Sequence, residues 1–171
     1  QGNHNAPQRL LALRAQTEAL ELVTALVREH PGSYEHKLGG QFLNIGVTLR
    51  AALRGPAALA ATHAAVLLFD REARDGSPVR EASLTAALTN LASLLLTQRP
   101  TLRTGTDWRE QALEASARAV DINRRRAKAN PFPLGKDLVS SLRVHAAALE
   151  AAGRHSAARE IRGEVDQLSY A

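Results

Sequence analysis

Cysteine is absent from the 171 residues, which excludes a disulfide framework, a thiolate metal site and a cysteine nucleophile. Aromatic residues make up only 4% of the chain, and strand formers never gather in an alternating run, so no β-sheet is expected. No apolar run approaches the roughly 18 residues that span a bilayer. The opening QGNHNAP is polar and lacks the apolar centre of a secretory leader. The expectation is a soluble, cytoplasmic protein. Catalytic signatures are missing as well. Six histidines (His4, His30, His36, His63, His145, His155) show no HExxH or other ligand spacing, and there is no GxSxG elbow and no glycine-rich phosphate loop after a strand. No catalytic residue, metal ligand or cofactor is assigned, and a role other than catalysis is expected.

What the chain has is alanine, leucine and arginine, all strong helix formers, set in a pattern that recurs. Pro131 to Val165 states the pattern most completely. Leu138, Leu142, His145, Ala146 and Leu149 follow helical spacing, Gly153 interrupts, and Ala158, Ile161 and Val165 resume it. This predicts two amphipathic helices joined by a tight turn, with Gly153 as the left-handed residue and the second helix starting near His155 or Ser156. Leu38, Leu84 and Leu138 are separated by 46 and 54 residues. The same intervals separate Gly46, Ala92 and Ala146, and Leu49, Leu95 and Leu149. Ala12, Ala58, Ala112 and Ala158 keep the register in the second helices, with steps of 46, 54 and 46. Small residues in these columns let an antiparallel helix pair approach closely. The eight extra residues of the longer step fall between Ala92 and Ala112, in the 97–107 loop, which is a candidate contact loop.

Seven helices follow. Residues 8–30 align with 108–130 without a gap, so the first is a second-type helix lacking its own hairpin partner, and hairpins are expected at about 33–76, 77–130 and 133–169. The absence of an initiator methionine and a start in mid-pattern point to a piece of a longer chain. The uncovered first helix, with Leu10, Leu11, Leu13, Leu20, Leu22, Val23, Leu26 and Val27, carries too many apolar residues for one buried stripe, and either self-association through it or contact with preceding sequence is expected. Within the first hairpin, Gly55–Pro56 reads as the turn, and Gly39 and Gly40 as weak points of the preceding helix. Asp107 with Glu110 reads as a capping box before Trp108, and Ser77–Pro78 as a cap followed by proline at the first helical position.

The chain resembles the tetratricopeptide repeat family over nearly its whole length. The likeness rests on the small residue followed three later by leucine (Gly46/Leu49, Ala92/Leu95, Ala146/Leu149), on the alanine twelve residues beyond the small one in two units of three, and on Pro31, Pro78 and Pro131 after each second helix. Its period is longer than the family's usual one of about 34 residues, similar to long-period variants appended to bacterial signalling and regulatory proteins. The resemblance implies an all-α solenoid of antiparallel hairpins stacked in a right-handed superhelix as a single repeat domain. It also implies a scaffolding or regulatory module that captures a peptide or helix of a partner protein. First-helix positions two before the small residue face the concave groove in that family, so Asn44 and Asn90 carry over as contacts, while Val144 breaks the series. Thr48, Arg50, Ser93 and Arg143 are candidate neighbours on that surface. Asparagine in this column has a second reading, as a hydrogen-bonding strut between hairpins.

Charge offers a different partner. Arg124, Arg125, Arg126 and Lys128 form the densest basic cluster, attractive to acidic partners or nucleic-acid phosphates. Consecutive helical residues point about 100° apart, however, and basic side chains at a helix C-terminus answer the macrodipole. A solvated helix end is therefore the plainer reading. His145, in the column of Ile45 and Leu91, reads as a half-buried packing residue.

Overall fold

The computed structural model describes residues 6–30, 32–75, 78–98 and 107–169. Among the described residues seven α-helices run in order: α1 (Ala6–Glu29), α2 (Glu35–Ala51), α3 (Gly55–Glu72), α4 (Pro78–Gln98), α5 (Trp108–Ala129), α6 (Pro131–Ala151) and α7 (His155–Ser169). A 3-10 turn, Ala73–Asp75, extends α3, and no strand occurs among the described residues. No described helix is long and apolar enough to cross a membrane. The chain divides into two compact units, Gln1–Ser83 and Leu84–Ala171.

In the first unit α1 packs on α2 and α2 on α3. Glycine brings the second pair together. A methyl group at Gly46 would collide with the Thr62 hydroxyl and lie 3.4 Å from the Ala58 carbonyl oxygen, so the backbone of α2 rests directly on α3. Gly39 does the same one helix end away, where an added Cβ would sit 2.7 Å from the Phe69 ring. Gly40 faces open space. The side of α3 that receives α2 is correspondingly dry, with Ala58 and Ala65 fully buried and Phe69 4% exposed.

In the second unit α6 packs between α5 and α7. Val120, Leu138, Leu142 and Val165 form the core of this trio, flanked by Ala127, Val139 and Ile161. Ala146 and Ala158, the small-residue pair of the last hairpin, are both buried. Ala92 and Ala112 are fully buried, and Leu88, Leu91, Leu94 and Leu95 of α4 are buried as well.

The turns repeat in atomic detail. After α2 the N–H groups of Ala52, Leu53 and Arg54 donate to the carbonyls of Thr48, Arg50 and Leu49 at 3.0, 3.0 and 2.9 Å. One hundred residues on, Ala152, Gly153 and Arg154 donate to Ala148, Glu150 and Leu149 at 3.0, 3.0 and 2.8 Å. Gly153 is left-handed, with φ +76°, and Leu53 takes the same conformation at +58°. The turn of the first hairpin is thus Ala52–Arg54, not Gly55–Pro56, and α2 stops at Ala51. Pro56 lies inside the first turn of α3, where its missing N–H has no intrahelical partner to lose. Pro131 likewise opens α6, so the last hairpin begins two residues before the expected 133. The side chain of Asp107 caps α5 by accepting the Arg109 N–H at 3.0 Å. Ser77 and residues 99–106 of the inserted loop lie outside the described residues.

Candidate groove on α6 and α7

Seven residues apart on α6, Lys136 and Arg143 stand on one face of the helix, about 10 Å from each other along its axis. Val139, Ser140 and Val144 lie between and beside them, and Leu168 and Ser169 reach in from the end of α7. Together with Gly135 they line an open groove of about 610 Å³. Among the described residues no lining residue is acidic. Arg143 is exposed and Val144 half-buried. Leu168 leaves 40% of its surface open, which makes it the apolar wall. Among the described residues neither Lys136 nor Arg143 has a carboxylate partner. Two cations spaced along an apolar floor suit an extended or helical segment that presents apolar side chains and carboxylates in alternation.

The groove holds because α6 is fixed from its other side. Asn123 of α5 donates to the Asp137 carbonyl and the Ser141 hydroxyl, each at 3.2 Å, and is 2% exposed. Ser141 in turn donates to the Leu138 carbonyl at 2.9 Å. Two turns of α5 earlier, Ser116 Oγ lies 2.9 Å from His145 Nδ1 and 3.0 Å from the Leu113 carbonyl oxygen. A hydroxyl has one proton. With that proton on the Leu113 carbonyl, His145 donates through Nδ1 and keeps its lone pair on Nε2. Burial holds the His145 imidazole below its ordinary value of 6.5, with the Arg124 charge acting in the same direction and Asp121 against it. Ser116 is 1% exposed, so this serine–histidine contact is a strut between α5 and α6.

The other residues singled out in the sequence fall in several places. Asn44 is exposed on α2, and its carbonyl accepts from Gln16 of α1 at 3.5 Å and from Thr48 at 3.0 Å. The Thr48 hydroxyl receives the Gln16 amide at 2.8 Å, so Thr48 bridges α1 and α2. Arg50 is exposed, whereas Asn90 and Ser93 are half-buried on α4. Of the candidates, Arg143 alone lines the groove described above.

The basic cluster disperses. Arg124 reaches α7 and pairs with Glu164 through Nε and Nη2. Arg126 donates to the Asn123 side chain at 2.9 Å, lies 3.9 Å from Asp137 and leaves 11% of its side chain exposed. Arg125 and Lys128 are exposed. Sequence reading missed Lys136 and Leu168: the first lacks a repeat column, and the second lies 25 residues beyond Arg143 on another helix. It also missed the polar column at Gln16, Thr62 and Ser116, four residues after Ala12, Ala58 and Ala112, whose outer two members tie a second-type helix to the helix that follows.

Among the described residues no group of three histidine, aspartate or glutamate side chains converges to hold a metal. No family model, curated protein or solved structure matches this chain.

Proposed function

We propose that this chain is a protein-interaction module of the tetratricopeptide type, a stack of helical hairpins that captures a partner segment without chemical turnover. The α6–α7 groove carries the reading: two cations on one helix face, an apolar floor, and no acidic lining among the described residues. Support for the repeat comes from the matching hydrogen-bond pattern of the turns at Leu53 and Gly153 and from the small-residue packing of Gly46 on Ala58. The partner is a short acidic segment with apolar side chains between its carboxylates. Asn44, exposed on α2, is by itself a polar contact for a ligand, and Asn90 holds the equivalent place in its own repeat.

Binding is tested by fluorescence anisotropy with labelled peptides in which leucine or valine alternates with glutamate, compared with peptides of the same composition carrying lysine for glutamate. The acidic peptides should bind. Lys136→Ala and Arg143→Ala should each weaken binding about tenfold, the scale of one charge-assisted hydrogen bond, and Leu168→Glu should abolish it. Unchanged affinity in the three variants, with circular dichroism intact, sinks the groove assignment. The competing reading is nucleic-acid binding through Arg124, Arg125, Arg126 and Lys128. Pairing of Arg124 and Arg126 within the fold speaks against it. Binding of a DNA duplex that falls steeply with salt and is lost on replacing Arg125 and Lys128 would put that reading in its place.

A further inference from the structure

We infer that α1 is a docking site for one more helix of this protein's own first-helix pattern, with glycine or alanine at the crossing point and leucine three residues later. The argument rests on equivalent positions. Ala58, Ala112 and Ala158 are each fully buried, whereas Ala12, the fourth member of their column, is exposed. Ala61 and Ala115 are 8% and 5% exposed, yet their counterpart Ala15 lies open. Ile122 of α5 is 8% exposed; Leu22, one hundred residues before it, is 69% exposed. Leu11 adds an apolar side chain 64% exposed.

Three of these residues make one surface. At 100° per residue, Leu11, Ala15 and Leu22 fall within about 40° of each other around α1, and Ala12 stands about 60° on from Ala15, beside Val23. Leu13, Leu20, Val23 and Val27, on the neighbouring arc, are half-buried, and α2 is the helix that packs on α1. The open face therefore adjoins the face already in use, with Ala12 at the border between them. In the two hairpins where both helices are seen in contact, the matching face of the second helix is taken by the first: α2 covers Ala58 through Gly46, and α6 packs on α7 where Ala146 and Ala158 are both buried. The occupant that fits Ala12 and Ala15 is accordingly a helix able to approach as closely as α2 or α6 does. A bulky residue at its crossing point would be held off by van der Waals contact.

The test supplies that helix. A copy of residues 131–153, grafted directly before Gln8 in place of residues 1–7, puts α6 and its turn in register with α1, since Arg154 and Gln8 are equivalent positions. Amide hydrogen exchange across residues 11–23 should slow about tenfold or more, as local opening becomes coupled to the graft. The same graft on an Ala12→Glu/Ala15→Glu chain should give no slowing. Unchanged exchange in the first graft, with the added residues helical by circular dichroism, overturns the inference. So does a parent chain that sediments as a dimer at micromolar concentration with residues 11–23 already protected, because a second copy then fills the face.

Discussion

Leu53 is a bulky residue in a conformation that suits glycine, and replacing it with glycine should stabilise the protein. Its φ of +58° brings Cβ close to the backbone, a cost of about 1–2 kcal/mol for a residue other than glycine. Its side chain is 87% exposed, so truncation removes almost no packing. Against the gain stands the extra freedom of glycine in the unfolded chain, about 0.4–1 kcal/mol. The net expectation for Leu53→Gly is a stabilisation of about 0.5–1 kcal/mol. Gly153 offers the mirror experiment in the same turn. A Cβ there meets nothing within 4 Å, so Gly153→Ala tests conformation alone and should destabilise by a similar amount. Urea unfolding followed at 222 nm reads both, with the dependence on denaturant unchanged because the buried surface is unchanged. A Leu53→Gly chain less stable than its parent would refute the reasoning, and would mean that the leucine makes a stabilising contact outweighing its strain.

Gly40→Ala should stabilise α2 by up to about 1 kcal/mol through helix propensity, while Gly39→Ala, one residue earlier, should destabilise because the methyl meets the Phe69 ring; equal melting shifts of the same sign would count against that contact. Gly46→Ala should cost about 1–3 kcal/mol by overpacking, and Thr62→Ala in the same chain should recover part of the loss, which a double-mutant cycle measures as coupling. His145 gives a pH signature. Its folded-state pKa lies below 6.5, so the unfolded chain binds the extra proton first, and stability present above 6.5 declines as pH falls through that value. His145→Gln should remove this component of the slope between about pH 7 and 5 in urea midpoints; an identical slope in parent and variant would show the imidazole to be uninvolved.

The parts of this structure that local chemistry governs were legible in the chain. Helical spacing and the Asp107 cap depend on neighbours within a turn or two, and both appear where the residues indicate. The turn at Leu53 was not legible, because a leucine carries no signal for a left-handed backbone and Gly55–Pro56 nearby carries a strong but misleading one. Gly39 looked like a weak helix position because propensity is blind to Phe69, thirty residues later. The basic run at Arg124–Lys128 showed its charges but not Glu164 and Asp137, which lie on the next two helices and absorb two of them. The groove combines Arg143 with Leu168 across a helix boundary, a juxtaposition that only packing creates.

The buried polar contacts between α5 and α6 have a consequence for alignment along the helix axis. An interface of alanine, valine and leucine is nearly smooth, and sliding one helix past the other by a turn, about 5.4 Å, would exchange one set of small apolar contacts for another of similar worth. Asn123 with Ser141 and Ser116 with His145 make that slip expensive. Displaced by a turn, the buried Asn123 amide would lose both of its acceptors on α6, forfeiting about 1–3 kcal/mol of hydrogen bonding it had given up water to gain. Two such contacts at different heights act as a lock against translation, and they keep Lys136 and Arg143 at a fixed level beside Leu168.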